Sequence, residues 1–204
     1  MTFDNQLVAA KLRRWEKYLE NYKLPAWKDI PDIGLYMEQI IILMKDYLDY
    51  LPPELKDEQI ITASTVNNYV RTKIMPEPIK KKYYRVHIAY LIMICTLKQS
   101  MPIAMLQKII PMGLTDNEVK DIYDKYSERH AITVGYYLEQ TRLLAGPILN
   151  HDVIVSQSVD SPADLITTYA IYAGFTKLLA EKLLLLEGKN ITNGGDITLK
   201  KEDD

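Results

Sequence analysis

Three side chains near the middle of the chain have the chemistry to recognise the edges of nucleic-acid bases. They are Asn67, Asn68 and Arg71, and Asn and Arg are the residues that pair bidentately with adenine and guanine in the major groove. The apolar residues Val66 and Tyr69 are spaced as on one buried helix face. We therefore expect the polar side chains to project from the opposite, solvent-facing side of the same helix.

Basic residues follow this helix closely and are suited to contacts with phosphate. From Thr62 to Lys98 the sequence holds seven basic residues and one acid, which leaves +6 on this stretch and −8 on the remainder of a chain of net charge −2. A basic stretch on an acidic body is the electrostatic footprint of a nucleic-acid partner, although a charged run is also common on an ordinary solvated face.

The helices that position these residues can be predicted from N-cap residues, which start a helix, and from prolines, which end one. Thr62 or Ser64 supplies the N-cap, and the helix must end near Ile74 because Pro76 and Pro78 follow. A second helix, apolar nearly all round, begins at His87, whose side chain is expected to meet either phosphate or water. Other helices are predicted at Phe3–Tyr22, Leu35–Leu51, Pro102–Ile110, Thr115–Leu144 and Pro162–Glu187, with a connector at 53–61 and a short extended piece at 153–155.

The same stretch resembles the helix-turn-helix and wing of MerR-type transcription regulators. The resemblance rests on Ser64 to Arg71, on Ile74-Met75-Pro76, and on Lys81-Lys82-Tyr83 leading into His87. More closely, residues 24–110 resemble an uncharacterised bacterial domain family with a MerR-like head. The motifs of that family are Leu24-Pro25-Ala26-Trp27, Ile30-Pro31-Asp32-Ile33, Leu35-Tyr36-Met37-Glu38-Gln39, Asn67-Asn68-Tyr69-Val70 and His87-Ile88-Ala89-Tyr90-Leu91.

The resemblance implies an all-α fold in which a MerR-like helix-turn-helix with a short basic wing precedes a C-terminal helical module. The helix predicted at Leu35–Leu51 would support the recognition helix, and a wing hairpin is expected at 79–84. The predicted DNA contacts are Ser64, Thr65, Asn67, Asn68 and Arg71 from the recognition helix, with Lys73, Lys80, Lys81, Lys82, Tyr83 and Arg85 around the wing. The expected divisions are an N-terminal helix (1–23), a DNA-binding domain (24–112), a dimerisation or effector module (113–188) and a disordered tail (189–204).

Motifs for catalysis, cofactors or metals are missing from the sequence. There is no glycine-rich phosphate loop, no HExxH, no GxSxG and no set of Cys and His at metal spacing. We expect neither an enzyme nor a cofactor. The lone Cys95 excludes an intramolecular disulfide framework and is expected to be a small core residue. No membrane span or signal peptide is evident, so a cytoplasmic location is expected.

Two functions are compatible with these observations. The first is a sequence-specific DNA-binding transcriptional regulator, most simply a homodimer, with any small-molecule effector unknown. The second is a helical protein-interaction module that keeps the MerR-like head without DNA binding. The leucine-rich last helix has more apolar surface than one neighbour normally covers. Either a second copy of the chain would cover it, or the helix at 115–144 and the N-terminal helix would sandwich it within one chain.

Overall fold

The structure, a computed structural model, describes residues 4–50, 61–145, 162–186 and 188–195 of the 204-residue chain. These residues form seven α-helices, one short 3-10 turn at Trp27–Asp29 and two isolated β-bridges, with no strand among them. The predicted all-α class is therefore confirmed. The helices are α1 (Asn5–Asn21), α2 (Met37–Tyr47), α3 (Ala63–Arg71), α4 (Arg85–Leu97), α5 (Ile103–Ile109), α6 (Asp116–Leu144) and α7 (Pro162–Leu184).

Every predicted helix is present, and the differences lie at the helix ends. The prediction for α2 began at Leu35, but the backbone of that residue pairs with Tyr83, and Tyr36 serves as the N-cap. The capping box predicted for α6 is confirmed: the backbone N–H of Thr115 donates to Glu118 Oε2 at 2.8 Å. The predicted connector at 53–61, except Ile61, and the extended piece at 153–155 lie outside the described residues.

Helix α4 is the centre of the packing. All eleven residues from His87 to Leu97 are buried, and the helix contacts α2, α6 and α7. Cys95 lies on it, fully buried, and burial raises the pKa of its thiol to about 12. The expectation of a small core residue is confirmed. None of the described helices is long and apolar enough to span a membrane.

Helix α7 is covered on one side by helices of the same chain. Ala170, Ile171, Phe175 and Leu178 are buried in the main core, which α4 and α6 also line. Beyond the end of α7, Leu186 packs with the α1 residues of a second, smaller apolar cluster. On this side, helices of the same chain cover the apolar surface of α7, as one of the two alternatives predicted. The homodimer stays a prediction.

Candidate nucleic-acid interface

Helix α3 begins at a strong cap. The side-chain oxygen of Thr62 accepts the backbone N–H of Thr65 at 3.1 Å, while the Thr65 hydroxyl accepts the N–H of Thr62 at 2.8 Å. Val66 and Tyr69 are buried against the core, at 0% and 1% exposure. Of the two caps predicted, Thr62 is the one used. Because the Thr65 hydroxyl is engaged in this cap, it stabilises the helix start rather than pointing to solvent.

The opposite face of α3 carries four of the predicted contact residues. Ser64, Asn67 and Arg71 are exposed and Asn68 is half-buried. Residues at these spacings lie on one side of a helix. The Arg71 Nη2 donates to Asn68 Oδ1 at 2.7 Å, so Asn68 holds the guanidinium against the helix surface. The face therefore presents amide and guanidinium donors together.

The end of α3 places a lysine where glycine is usual. The N–H of Ile74 donates to the Tyr69 carbonyl at 3.1 Å and the N–H of Lys73 donates to the Val70 carbonyl at 3.0 Å, which is the Schellman pattern. Lys73 occupies the left-handed position of that motif, with φ 55°. A side chain with a Cβ is disfavoured there by roughly 1 kcal/mol relative to glycine.

A tight hairpin follows, which we call the basic hairpin (Ile79–Lys82). Ile79 and Lys82 exchange two backbone hydrogen bonds of 3.0 Å, and the two residues between them, Lys80 and Lys81, have φ of 50° and 64°. Positive φ at both central residues defines a type I′ turn, which Asn-Gly normally occupies. Both lysines are exposed, so the hairpin tip is a pair of solvated charges on a strained backbone.

The basic hairpin is anchored to the loop before α2. Leu35 and Tyr83 exchange two backbone hydrogen bonds of 2.8 Å, and the Lys82 ammonium lies 5.2 Å from the ring centroid of Tyr36. A Cβ added at Gly34 would come within 3.0 Å of side-chain atoms of Lys82 and Tyr84, so a larger residue there would require these side chains to shift. These contacts fix the direction in which the hairpin leaves the core.

Two residues predicted to contact phosphate are placed differently by the structure. The Tyr83 ring is buried in the core at 3% exposure, which keeps it from solvent. The Arg85 guanidinium donates from Nε to the Ile30 carbonyl at 2.8 Å and lies 3.5 Å from an Asp32 carboxylate oxygen. Both side chains therefore support the loop and hairpin rather than extend the exposed basic surface.

His87 faces neither phosphate nor water, so both alternatives predicted for it are wrong. Its ring is buried; Nδ1 accepts the backbone N–H of Tyr84 at 3.0 Å, and Nε2 lies 2.9 Å from the Glu77 carbonyl oxygen. With Nδ1 accepting, Nε2 must carry the proton and donate it. His87 thus caps α4 and ties the proline-containing turn between α3 and the hairpin to that helix.

Sequence reasoning missed the strained lysines and the role of Gly34. The strain has no signal of its own in the sequence, because Lys is not a residue that marks left-handed turns. At Lys73 the sequence does carry one signal, because glycine usually follows the recognition helix of the MerR-type regulators that this stretch resembles. Among the described residues, no group of three or more His, Cys, Asp or Glu is placed to hold a metal ion.

A comparison with protein families identifies the segment of the chain that carries these residues. The model of the family described as "Domain of unknown function (DUF1836)" matches residues 25–127, half of the chain. The chain belongs to this family. The match takes in α2 to α5 and the start of α6, hence the whole candidate interface. It confirms the resemblance to an uncharacterised domain family. No curated protein and no solved structure matches the chain.

Proposed function

We propose that this member of the DUF1836 family is a sequence-specific DNA-binding transcriptional regulator. In this proposal the exposed face of α3 enters the major groove, where Asn67, Asn68 and Arg71 read base edges. Ser64 assists at the start of that face. Lys73, Lys80, Lys81 and Lys82 hold the phosphates on either side. The resemblance to a MerR-like head supports this arrangement, and residues 113–188 would form the dimerisation or effector module.

The observation that carries the proposal is the strain at three exposed lysines. Lys73, Lys80 and Lys81 all have positive φ, a conformation that glycine or asparagine adopts at lower cost. Outliers of this kind cluster at functional sites, where a side chain is kept for what it binds. All three are cations within one basic stretch, and a lysine ammonium is a good point-charge partner for phosphate.

The connection between α3 and the basic hairpin supports a joint role. Only residues 72–78 separate the two, and His87 holds this segment at Glu77. Ile74 and Met75 are buried within it, at 0% and 1% exposure. A short, anchored connection keeps the base-reading face and the phosphate-holding lysines in a fixed relation, which recognition of one DNA register requires.

A homodimer is the simplest assembly for this function. Two copies related by a twofold axis would present two α3 helices to a near-palindromic site. Light scattering of the full-length chain at micromolar concentration should give twice the mass of one chain. A single-chain mass under these conditions would contradict the dimer and leave the DNA-binding proposal to be tested on its own.

The experiment that tests the proposal is duplex DNA binding as a function of salt. Four phosphate contacts should give a fall of log affinity with log salt of slope about −3.6. Affinity that is absent or indifferent to salt would favour the alternative, a helical protein-interaction module without DNA binding. If binding is found, selection of preferred sequences from a random duplex library would identify the operator.

A further inference from the structure

The basic hairpin carries exposed apolar surface beside its charges. Ile79, at its first position, is 58% exposed, and Tyr36, on the segment that leads into α2, is 52% exposed. Single exposed apolar side chains are common on soluble proteins, whereas exposed apolar side chains that share one surface mark a contact site. The backbone pairing shows whether these two residues share a surface.

The pairing register places both side chains on one face. Ile79 is paired with Lys82 across the hairpin, and directly paired residues share a face. Leu35 is paired antiparallel with Tyr83, which puts Tyr36 opposite Lys82. The Lys82 ammonium lies 5.2 Å from the ring centroid of Tyr36, in agreement with this register. Leu35 and Tyr83 are buried on the opposite face.

Gly34 allows this face to be flat. A Cβ added to it would lie 2.8 Å from Cδ of Lys82 and 2.9 Å from Cζ of Tyr84. The Lys82 stem and the Tyr84 ring therefore lie directly over the glycine, and both residues are half-buried. We call the exposed part of this face the hairpin platform; it consists of Tyr36, Ile79 and the aliphatic stem of Lys82.

The platform borders cations that have no partner in the part of the chain that the structure describes. Lys80 and Lys81 are exposed, and no hydrogen bond or ion pair engages their side chains there. Glu77 is the one acid between α3 and α4, and Glu38 lies in the first turn of α2. Neither carboxylate forms an ion pair with the hairpin lysines. The charge at the tip is thus available to an outside anion.

An apolar surface beside such cations matches the backbone of a DNA strand. Phosphates alternate along the strand with deoxyribose rings, whose carbon atoms offer apolar surface at each step. The connection at 72–78 holds the hairpin close to α3, so the platform is continuous with the candidate interface. When Lys80 and Lys81 contact phosphates, the platform beside them faces the sugars of the same strand.

We propose that the hairpin platform packs against deoxyribose rings of the strand whose phosphates Lys80 and Lys81 hold. This inference rests on the proposed DNA-binding function and adds a second kind of contact to it. Phosphate contacts act through counterion release and weaken with salt, whereas burial of apolar surface does not release counterions. The platform therefore supplies a part of the DNA affinity that does not contribute to the salt slope.

Ile79→Thr removes this contact without removing a charge. Threonine keeps the β-branch that suits an extended backbone and replaces apolar carbon with a hydroxyl group. In the full-length protein the variant should weaken binding to duplex DNA about tenfold at every salt concentration, because burial of the isoleucine is lost. The salt slope should not change. Ile79→Val keeps an apolar side chain and should lose less than about threefold.

Tyr36→Ser tests the second platform residue. Tyr36 is the N-cap of α2, and serine is a preferred N-cap residue, so the variant removes the ring while keeping the helix start. Binding should again weaken several-fold with an unchanged slope. Ile42→Thr is the matched control, because Ile42 is 63% exposed on α2 and lies outside the platform. It should bind DNA as the parent does. Circular dichroism verifies the fold of each variant.

Lys80→Ala should show the reverse pattern, with a salt slope lowered by about 0.9. Calorimetry at several temperatures separates the two kinds of contact further. Burial of apolar surface gives binding a negative heat-capacity change, which should become less negative in Ile79→Thr and stay unchanged in Ile42→Thr.

Weaker binding with an unchanged slope in both platform variants, but not in the control, supports the proposal. It is overturned if the parent binds DNA with the expected salt slope and either platform variant binds as tightly. In that case the DNA-binding function stands, and the platform is left to another partner, such as a protein. Equal losses in Ile42→Thr, or a changed slope in Ile79→Thr, also overturn it. A parent protein that binds no DNA overturns both proposals.

Discussion

Lysine side chains gather in two regions of the molecule, and the two regions are built in opposite ways. In the basic hairpin, Lys80 and Lys81 stand at the tip of a strained turn with their side chains in solvent. In the cavity lined by Leu12 and Trp15 of α1 and by Leu179 and Leu183 of α7, Lys182 lies over the Trp15 ring. The first region places its charges on an exposed turn that also exposes Ile79, whereas the second places them around a concavity with an apolar floor.

The difference shows that charge sign alone does not indicate a partner. Exposed lysines beside a polar helix face match a repeating anionic backbone, which is bound mainly by counterion release. Around the apolar concavity, Lys11, Arg14 and Lys182 already have interactions within the chain, so their charges do not by themselves indicate an anionic partner. The predictions below test whether the two regions are as distinct as this comparison requires.

Acidification should give the largest effect, and it acts on a buried histidine of α6. His130 is 1% exposed, is surrounded by the rings of Tyr22, Tyr50, Tyr126 and Phe175, and its Nδ1 has no hydrogen-bond partner among the described residues. Burial lowers its pKa to about 4 from the ordinary 6.5.

The sign of the pH effect follows from proton binding. Between pH 6.5 and 4 the unfolded chain binds a proton at this residue that the folded chain does not, so stability falls as the pH falls through this window. The full effect is about 3 kcal/mol. Urea unfolding at pH 7 and pH 4.5 measures it, and His130→Phe should remove most of the difference. An unchanged difference in that variant would mean that other groups cause it.

Removing the charge of the basic hairpin should sharply weaken DNA binding. Lys80→Ala, Lys81→Ala and Lys82→Ala together should reduce affinity on the order of 100-fold at moderate salt and lower the salt slope by about 2.7. The matched control replaces Lys17, Lys45 and Lys125, which are exposed and lie outside the candidate interface, with alanine. If both triple variants lose the same DNA affinity, the hairpin lysines contribute only through the net charge of the protein.

Arg71 tests base reading within the same region. Arg71→Ala should cost about 1–3 kcal/mol at the preferred site, with a smaller loss on random duplexes, because a bidentate guanine contact is sequence-dependent. Arg71→Lys keeps the charge, so it should restore binding to random DNA but not the extra affinity for the preferred site. Electrophoretic titrations on both duplexes distinguish these roles. The same loss on both would make Arg71 a phosphate contact.

Gly34 tests whether the direction of the hairpin matters. Gly34→Ala should lower stability by about 1 kcal/mol and weaken DNA binding several-fold, because the methyl group displaces Lys82 and Tyr84. Gly135→Ala is the control: it is exposed within α6, nothing lies within 4 Å of its added Cβ, and it should slightly stabilise the chain. Full DNA affinity in the Gly34 variant would show that hairpin placement is unimportant.

Local rules account for what the sequence predicted correctly. The cap at Thr62, the capping box at Thr115 and the buried faces of the helices depend on residues within one or two turns. The roles of Tyr83, Arg85 and His87 depend on partners that only the tertiary fold brings near, such as Leu35, Ile30 and Glu77. The sequence around these three residues is rich in basic and aromatic side chains, and this composition led to the prediction that they lie at the surface.

The cavity lay beyond sequence reasoning for a related reason. Most of its lining comes from α1 and α7, the first and last of the described helices, whose lining residues are more than 160 positions apart in the sequence, and no short motif links them. The leucines near the end of α7 predicted either an interface between copies or packing between α6 and α1, and the second alternative describes the apolar cluster that Leu186 forms with α1. Prediction therefore succeeded for helix caps and buried helix faces, where local signals are dense, and was weakest for side chains whose partners lie far away in the sequence.

The most direct test of the central claim replaces the strained pair at the hairpin tip with the residues the turn prefers. Lys80→Asn with Lys81→Gly keeps the type I′ geometry and removes two charges. The account predicts opposite changes: a higher melting temperature, since the strain is relieved, and a DNA salt slope reduced by about 1.8 with weaker binding. A more stable protein that binds duplex DNA as tightly as the parent would contradict the claim that these lysines are kept for phosphate.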